Sequence, residues 1–251
     1  MTRAGSRHTA TMIDPLFDPA PWRTLLQRDG RMQVDNFLQP AVAERLRACL
    51  QTEVPWTLAL RDADGARTID HATYAAMDDT QMQALLTRSA NVPLEHESSY
   101  EARFRFAYDS YMMVRAYQEG RDPDLLLHRV LELFNTPDYL ALMHALTGDA
   151  RVRRVNAQAT RYRRGHFLRY HTDIDSNEGR LYAYVLNLSR DWHADWGGLL
   201  QFIDDDGRVL DTLLPRWNTL SLFAVPAGHA VSLVAPWAAA DRLAITGWLL
   251  L

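Results

Sequence analysis

The sequence contains no lysine; all 27 of its basic side chains are arginine. That excludes a lysine Schiff base, a pyridoxal-phosphate lysine and the phosphate-binding lysine of P-loop enzymes. An anionic ligand group must then be held by arginine, histidine or neutral donors. Cysteine is nearly absent too. Cys49 stands alone in 251 residues, so neither an intramolecular disulfide nor a multi-cysteine zinc site can form. Apolar runs fall well short of the roughly 20 residues that a membrane helix needs. The opening stretch MTRAGSRHTATMIDP lacks the apolar core of a secretory signal. A cytoplasmic location without a membrane partner is the expectation. The net charge of −4 leaves no basic excess for general nucleic-acid binding. What is present is an ordinary globular composition, 47% hydrophobic and 23% charged, on a chain able to bury a sizeable core.

The texture changes near residue 150. Residues 1–30 read as irregular, broken by Pro15, Pro19 and Pro21. MQVDNFL (32–38) alternates like a strand, and residues 39–51 carry Pro40 near the first turn of a helix. A strand over 56–62 runs into the turn Asp62–Gly65, and 71–90 is helical. Residues 91–121 read as loop plus strand, notably RFRFAYDSYMMVRAY. Asp122-Pro123 opens a helix to about Phe134, and 137–148 forms another, closed by Gly148. After that come eight short strand-like runs in about a hundred residues, separated by turns such as Asp206-Gly207 and Pro226-Ala227-Gly228. This pattern predicts a mainly β protein with N-terminal α support, its core an antiparallel barrel or jelly roll. With no repeats or linker, residues 1–149 are expected to pack as a support on a core of 150–251, in one structural unit.

Within that core, YHTDIDSNEGR (170–180) places His171 two residues before Asp173. With nine histidines in the chain, roughly one His-x-Asp match arises by chance, so the pair needs context. On a strand, side chains two apart point to the same face. A third ligand is available in His229, at the start of a late strand after a glycine turn. Two imidazoles and one carboxylate on one side of a metal form the facial triad of non-haem Fe(II) oxygenases, which leaves positions open for substrate and O₂. Arg242 opens the last strand and could hold a distal carboxylate through two parallel hydrogen bonds. Thr246, four residues later, shares its barrel-facing side.

The stretch from RYRRGHFLRYHTD through LSRDW and the Gly197-Gly198 pair to PAGHAVSLV and RLAITGW resembles the catalytic domain of prolyl-hydroxylase-like, 2-oxoglutarate- and Fe(II)-dependent dioxygenases. It is especially similar to the branch of microbial prolyl hydroxylases that act on a ribosomal protein. The resemblance covers about 90 residues. It implies a double-stranded β-helix and a hydroxylation coupled to conversion of 2-oxoglutarate and O₂ into succinate and CO₂, with ascorbate often keeping the iron as Fe²⁺. It implies that His171, Asp173 and His229 are the catalytic metal ligands and that Arg242 partners the C5 carboxylate of 2-oxoglutarate. Tyr162 matches a tyrosine that lines the cosubstrate pocket. Arg180 falls in the matched stretch, structural or at the substrate mouth. One departure stands out: Asn187 occupies the position where many prolyl hydroxylases place a tyrosine on the C5 carboxylate.

Blander readings accompany these. A lone histidine is more often structural, and His166 and His193 have the wrong spacing for ligands. DWHADW (191–196) reads as a loop with packing tryptophans, and Asp175 as part of a loop. The aromatic residues of YDSYMMVRAY are core or rim. The expected substrate is a prolyl or related residue of a protein or peptide. One alternative is the same chemistry on a free amino acid or small metabolite; the other is a catalytically silent metal-binding sensor or interaction module. Oligomeric state is not readable.

Overall fold

The computed structural model describes residues 12–91, 103–175 and 177–251. Seven helices are described: α1 (Ala20–Asp29), α2 (Pro40–Thr52), α3 (His71–Ala75), α4 (Asp79–Ala90), α5 (Met113–Gln118), α6 (Leu126–Phe134) and α7 (Pro137–Thr147). Four strands precede residue 150: β1 (Arg31–Val34), β2 (Thr57–Asp62), β3 (Gly65–Ile69) and β4 (Phe106–Tyr111). The rest follow as β5 (Arg154–Val155), β6 (Gln158–Tyr162), β7 (Phe167–His171), β8 (Arg180–Asn187) and β9 (Leu200–Ile203). Then come β10 (Val209–Leu213), β11 (Thr219–Ala224), β12 (His229–Val231) and β13 (Arg242–Leu250). No helix among the described residues is long and apolar enough to cross a membrane.

Local chemistry sets the helix ends. Asp78 and Gln81 form a reciprocal capping box at α4, and Asp70 accepts from the Thr73 amide at α3. Thr136 caps α7, with Pro137 in its first turn and Gly148 closing it at φ 74°.

The strands pair antiparallel in the order β1-β11-β8-β13-β6-β4-β7-β12-β9-β10. The ends of this order meet: Arg31 Nε lies 2.6 Å from the Asp211 carboxylate, and Gln33 donates to the Leu214 carbonyl. The sheet thus curls into a nearly closed jelly roll, as the strand pattern predicted. Alternation on β13 sorts its two faces. Leu243, Ile245 and Leu249 join the helices in the large core with Leu186, Leu220, Leu127, Phe134 and Met143. Ala244 faces the interior beside Ala183, Val185, Leu200, Phe202 and Phe223.

Several expectations are revised. The irregular reading of 1–30 covers residues 1–11, which lie outside the described residues, but 20–29 is helical. Pro19 and Pro21 sit at the start of α1, where a proline's missing N–H costs nothing. The loop expected over 92–102 also lies outside the described residues. The strand expected through Tyr117 stops at Tyr111, because Met113 and Ala116 at helical spacing bury one face of α5. The helix expected from Asp122 begins at Leu126, since Asp122 has φ 48°. The strand expected over 32–38 ends at Val34, and the 71–90 helix breaks around 76–78. β3 was not foreseen. It completes a hairpin over the Asp62–Gly65 turn, where buried Asp62 is ion-paired by Arg67 and Arg88.

Candidate metal centre and adjoining cavity

β7 delivers His171 at its last position, directly opposite His229 on β12, with imidazole centroids 4.1 Å apart. Gly228 makes that placement possible. A Cβ there would lie 2.6 Å from the Ile203 carbonyl oxygen and from the Tyr170 ring. Asp173 follows two residues after His171, and its two carboxylate oxygens lie 3.6 Å from His171 Nε2 and from His229 Nε2. One ligand atom from each of the three lies within 4.8 Å of the others, and all three side chains are buried.

The protonation of the imidazoles follows from their other nitrogens. His171 Nδ1 is 3.0 Å from the Arg169 carbonyl and His229 Nδ1 2.8 Å from the Ala227 carbonyl. A carbonyl only accepts, so Nδ1 carries a proton in both rings and Nε2 is the nitrogen turned towards Asp173. Burial, and then the neighbouring His229, push the His171 pKa down to about 4, so its imidazole is neutral at pH 7. Two Nε2 atoms and a carboxylate thus face one another. Backbone bonds to the remote ring nitrogens are the usual supports of metal-binding histidines, and a His₂-carboxylate donor set with one open side suits Fe(II).

The triad opens into a cavity of about 290 Å³ that also holds Tyr162, Arg180, Arg242 and Thr246. Arg242 is 2% exposed. Its Nε has no hydrogen-bond acceptor; its side chain hydrogen-bonds Tyr162, and no carboxylate pairs with it among the described residues. The guanidinium lies over the Tyr162 ring, 4.9 Å from the centroid, and burial lowers its pKa. Gly198, at φ 63°, leaves room for the Arg242 stem; a Cβ there would come within 3.3 Å of Arg242 Cδ. A buried cation without a counter-charge is costly, so this end of the cavity is built for an anion.

Of the sequence-predicted residues, His171, Asp173, His229, Tyr162, Arg180, Arg242 and Thr246 line one cavity. Asn187 does not. Its amide donates to the Thr219 and Ser221 hydroxyls of β11, at 3.1 and 3.3 Å, and Val185 takes the cavity-wall position two residues earlier. Arg180 sits at the mouth, held by Glu178 at 2.8 Å and stacked 3.7 Å over Trp248. Asp175 caps the backbone amides of Asn177 and Glu178 in the loop. His166 is buried beside Asp109, 3.9 Å away, outside the triad. Trp192 and Trp196 pack edge to face, with His193 against Trp196. Sequence reasoning missed Phe104 and Phe106, which form one wall with Tyr108, a residue it left open between core and rim, and it missed Gln158 and Trp248. The signal for the first three was their period-2 spacing, but nothing local revealed which strands β4 would join.

Residues 157–250 match the family model described as 2OG-Fe(II) oxygenase superfamily. Prolyl 3-hydroxylase OGFOD1 of Xenopus laevis is 37% identical over 81 residues, which is 30% of this chain. The Mus musculus protein of the same name is likewise 37% identical over 81 residues. The match spans only 16% of the frog protein and 15% of the mouse protein. Among solved structures, a Pseudomonas putida prolyl-4-hydroxylase superposes with a TM-score of 0.57 at 18% identity, over 92% of this chain and 98% of its own. A Trichoplax adhaerens prolyl hydroxylase, in complex with a hypoxia inducible factor oxygen degradation domain peptide fragment, gives 0.52 at 14%, over 98% and 90%. Both share the fold. Residues 157–250, which carry the triad and Arg242, thus match the model of the 2OG-Fe(II) oxygenase superfamily, and the chain shares its fold with solved prolyl hydroxylases.

Proposed function

We propose that the protein is a 2-oxoglutarate- and Fe(II)-dependent dioxygenase that hydroxylates a prolyl or related residue of a protein or peptide. The observation that carries the reading is the convergence, in one cavity, of a His₂-carboxylate donor set fit to hold a cation and a buried arginine with no carboxylate partner among the described residues. Fe(II) answers the first and the distal carboxylate of 2-oxoglutarate the second. Bound together, the metal and the oxoacid supply oxidising power from O₂, with succinate and CO₂ as co-products.

The chain supplies geometry and a dry wall. His171, Asp173 and His229 would hold the metal on one side and leave the cavity side open. Arg242 would take the distal carboxylate through charge-assisted hydrogen bonds, with Thr246 on the same strand face and Tyr162 beneath the guanidinium. Phe104, Phe106, Tyr108, Leu168 and Phe223 line the cavity and exclude water from its reacting end. Arg180, its charge already met by Glu178, shapes the mouth. The peptide substrate is supported by the prolyl hydroxylases among the relatives and by the peptide-bound Trichoplax structure. Ascorbate as a reductant, a cytoplasmic setting, and residues 1–149 as the support of a 150–251 catalytic core belong to the same proposal.

The experiment is turnover with Fe(II), 2-oxoglutarate and a peptide library. It should yield succinate and peptides heavier by one oxygen, and Asp173→Ala should abolish both. Full turnover by Asp173→Ala would overturn the assignment, and succinate coupled only to a free amino acid would move the substrate to a small molecule.

A further inference from the structure

Arg242 raises a question that its anion-binding role leaves open. With no carboxylate to pin it among the described residues, a guanidinium on a four-bond stem has many orientations, yet productive binding of a carboxylate needs one. What it has is Tyr162, which meets it both by a side-chain hydrogen bond and by its ring. Arg242 and Tyr162 are register partners across β13 and β6, and the guanidinium carbon lies 4.9 Å from the Tyr162 ring centroid. On the other side of Tyr162 lies Tyr108, nearly parallel, with centroids 5.1 Å apart and an interplanar angle of 16°. β4 brings Tyr108 there by pairing with β6, Asp109 lying opposite Arg161. The Gln158 side chain engages the Tyr108 hydroxyl, and Phe106 packs against its ring at 5.6 Å.

We propose that Tyr108 is a positioning residue for Arg242: the column Tyr108–Tyr162–Arg242 fixes the plane of the guanidinium before the distal carboxylate of 2-oxoglutarate arrives. Tyr162 alone presents one ring that can tilt or slide. Backed by the nearly parallel Tyr108 ring it becomes the fixed middle member of a row of three, and the arginine can swing away only by giving up its contact with Tyr162. The device belongs to the ring of Tyr108, not to its hydroxyl. The inference rests on the 2-oxoglutarate reading above and adds to it a residue from the N-terminal half of the chain.

The test compares wild type, Tyr108→Phe and Tyr108→Leu, each loaded with Fe(II) without oxygen, by calorimetric titration with 2-oxoglutarate and with pyruvate. Pyruvate carries the 2-oxo acid but no distal carboxylate. Tyr108→Phe should keep 2-oxoglutarate affinity within about twofold, and Tyr108→Leu should weaken it about tenfold, the scale of one lost cation–π and stacking contact. Pyruvate and Fe(II) affinities should stay at wild-type values in both variants. Unchanged 2-oxoglutarate affinity in Tyr108→Leu would overturn the proposal. So would equal weakening in the Phe variant, or parallel loss of Fe(II), pyruvate and 2-oxoglutarate, which would mark a merely structural role. If the wild type itself binds no 2-oxoglutarate, the functional reading fails first and the positioning role with it.

Discussion

Two imidazole Nε2 atoms and a carboxylate converge on one point, an arrangement that a cation completes, and the fold commits buried positions to holding them so. Carbonyls of Arg169 and Ala227 fix the imidazoles, and Gly228 clears the space beside them. Arg242 is the same statement with the sign reversed. Hydrogen bonds to charged groups contribute about 1.5–3 kcal/mol each. Arg242→Ala should therefore raise the KM for 2-oxoglutarate about 10- to 150-fold while lowering kcat less at saturation; steady-state succinate formation measures both. An unchanged KM would remove Arg242 from the cosubstrate. The triad was legible in the sequence because strand alternation puts residues two apart on one face, and a glycine turn precedes His229. Asn187 was misread for the opposite reason. Counting from His171 gives its place in the chain, but two hydroxyls on β11 had already claimed its amide.

At the scale of elements, what could be read was what is local. Prolines and a closing glycine marked α2 and α7, and the eight runs after residue 150 became the strands β5 to β13, the first run splitting in two. The same locality misled at α1, where prolines that start a helix look like prolines that break one. Pairing over long distances was not legible at all. β1 finds β11 nearly the whole chain away, with Arg31 opposite Phe223, and β4 slips between β6 and β7. That insertion places Phe104, Phe106 and Tyr108 on the cavity wall, so residues from the region expected as support also line the site. Short aromatic runs carry no label of the strand they will join; the free energy that decides it comes from burial shared with distant neighbours.

At the scale of the molecule, a buried ionic layer lies behind the strand that carries Tyr162. Asp109 is fully buried against Arg161 and Arg163, with Tyr74 donating to it and His166 nearby. Burial, partly offset by Asp109, lowers the pKa of His166 to about 4, against about 6.5 for an exposed histidine. Between those values the unfolded chain binds the proton and the folded chain does not, so stability should fall as pH drops from 6.5 towards 4 and gain no further slope below it. Denaturant midpoints across that range check this: His166→Gln should flatten the slope relative to wild type, and an identical slope would clear His166 of the effect. The nearly closed barrel brings the His₂-carboxylate cluster and the buried arginine into one cavity. The measurement that tests this most directly is an oxygen-free titration of the protein with Fe(II) and then 2-oxoglutarate, followed in the visible. The account predicts one Fe(II) per chain and a weak visible band that appears only with both present and is lost in Asp173→Ala. A wild-type protein that binds no Fe(II), or binds it and shows no band with 2-oxoglutarate, would contradict it.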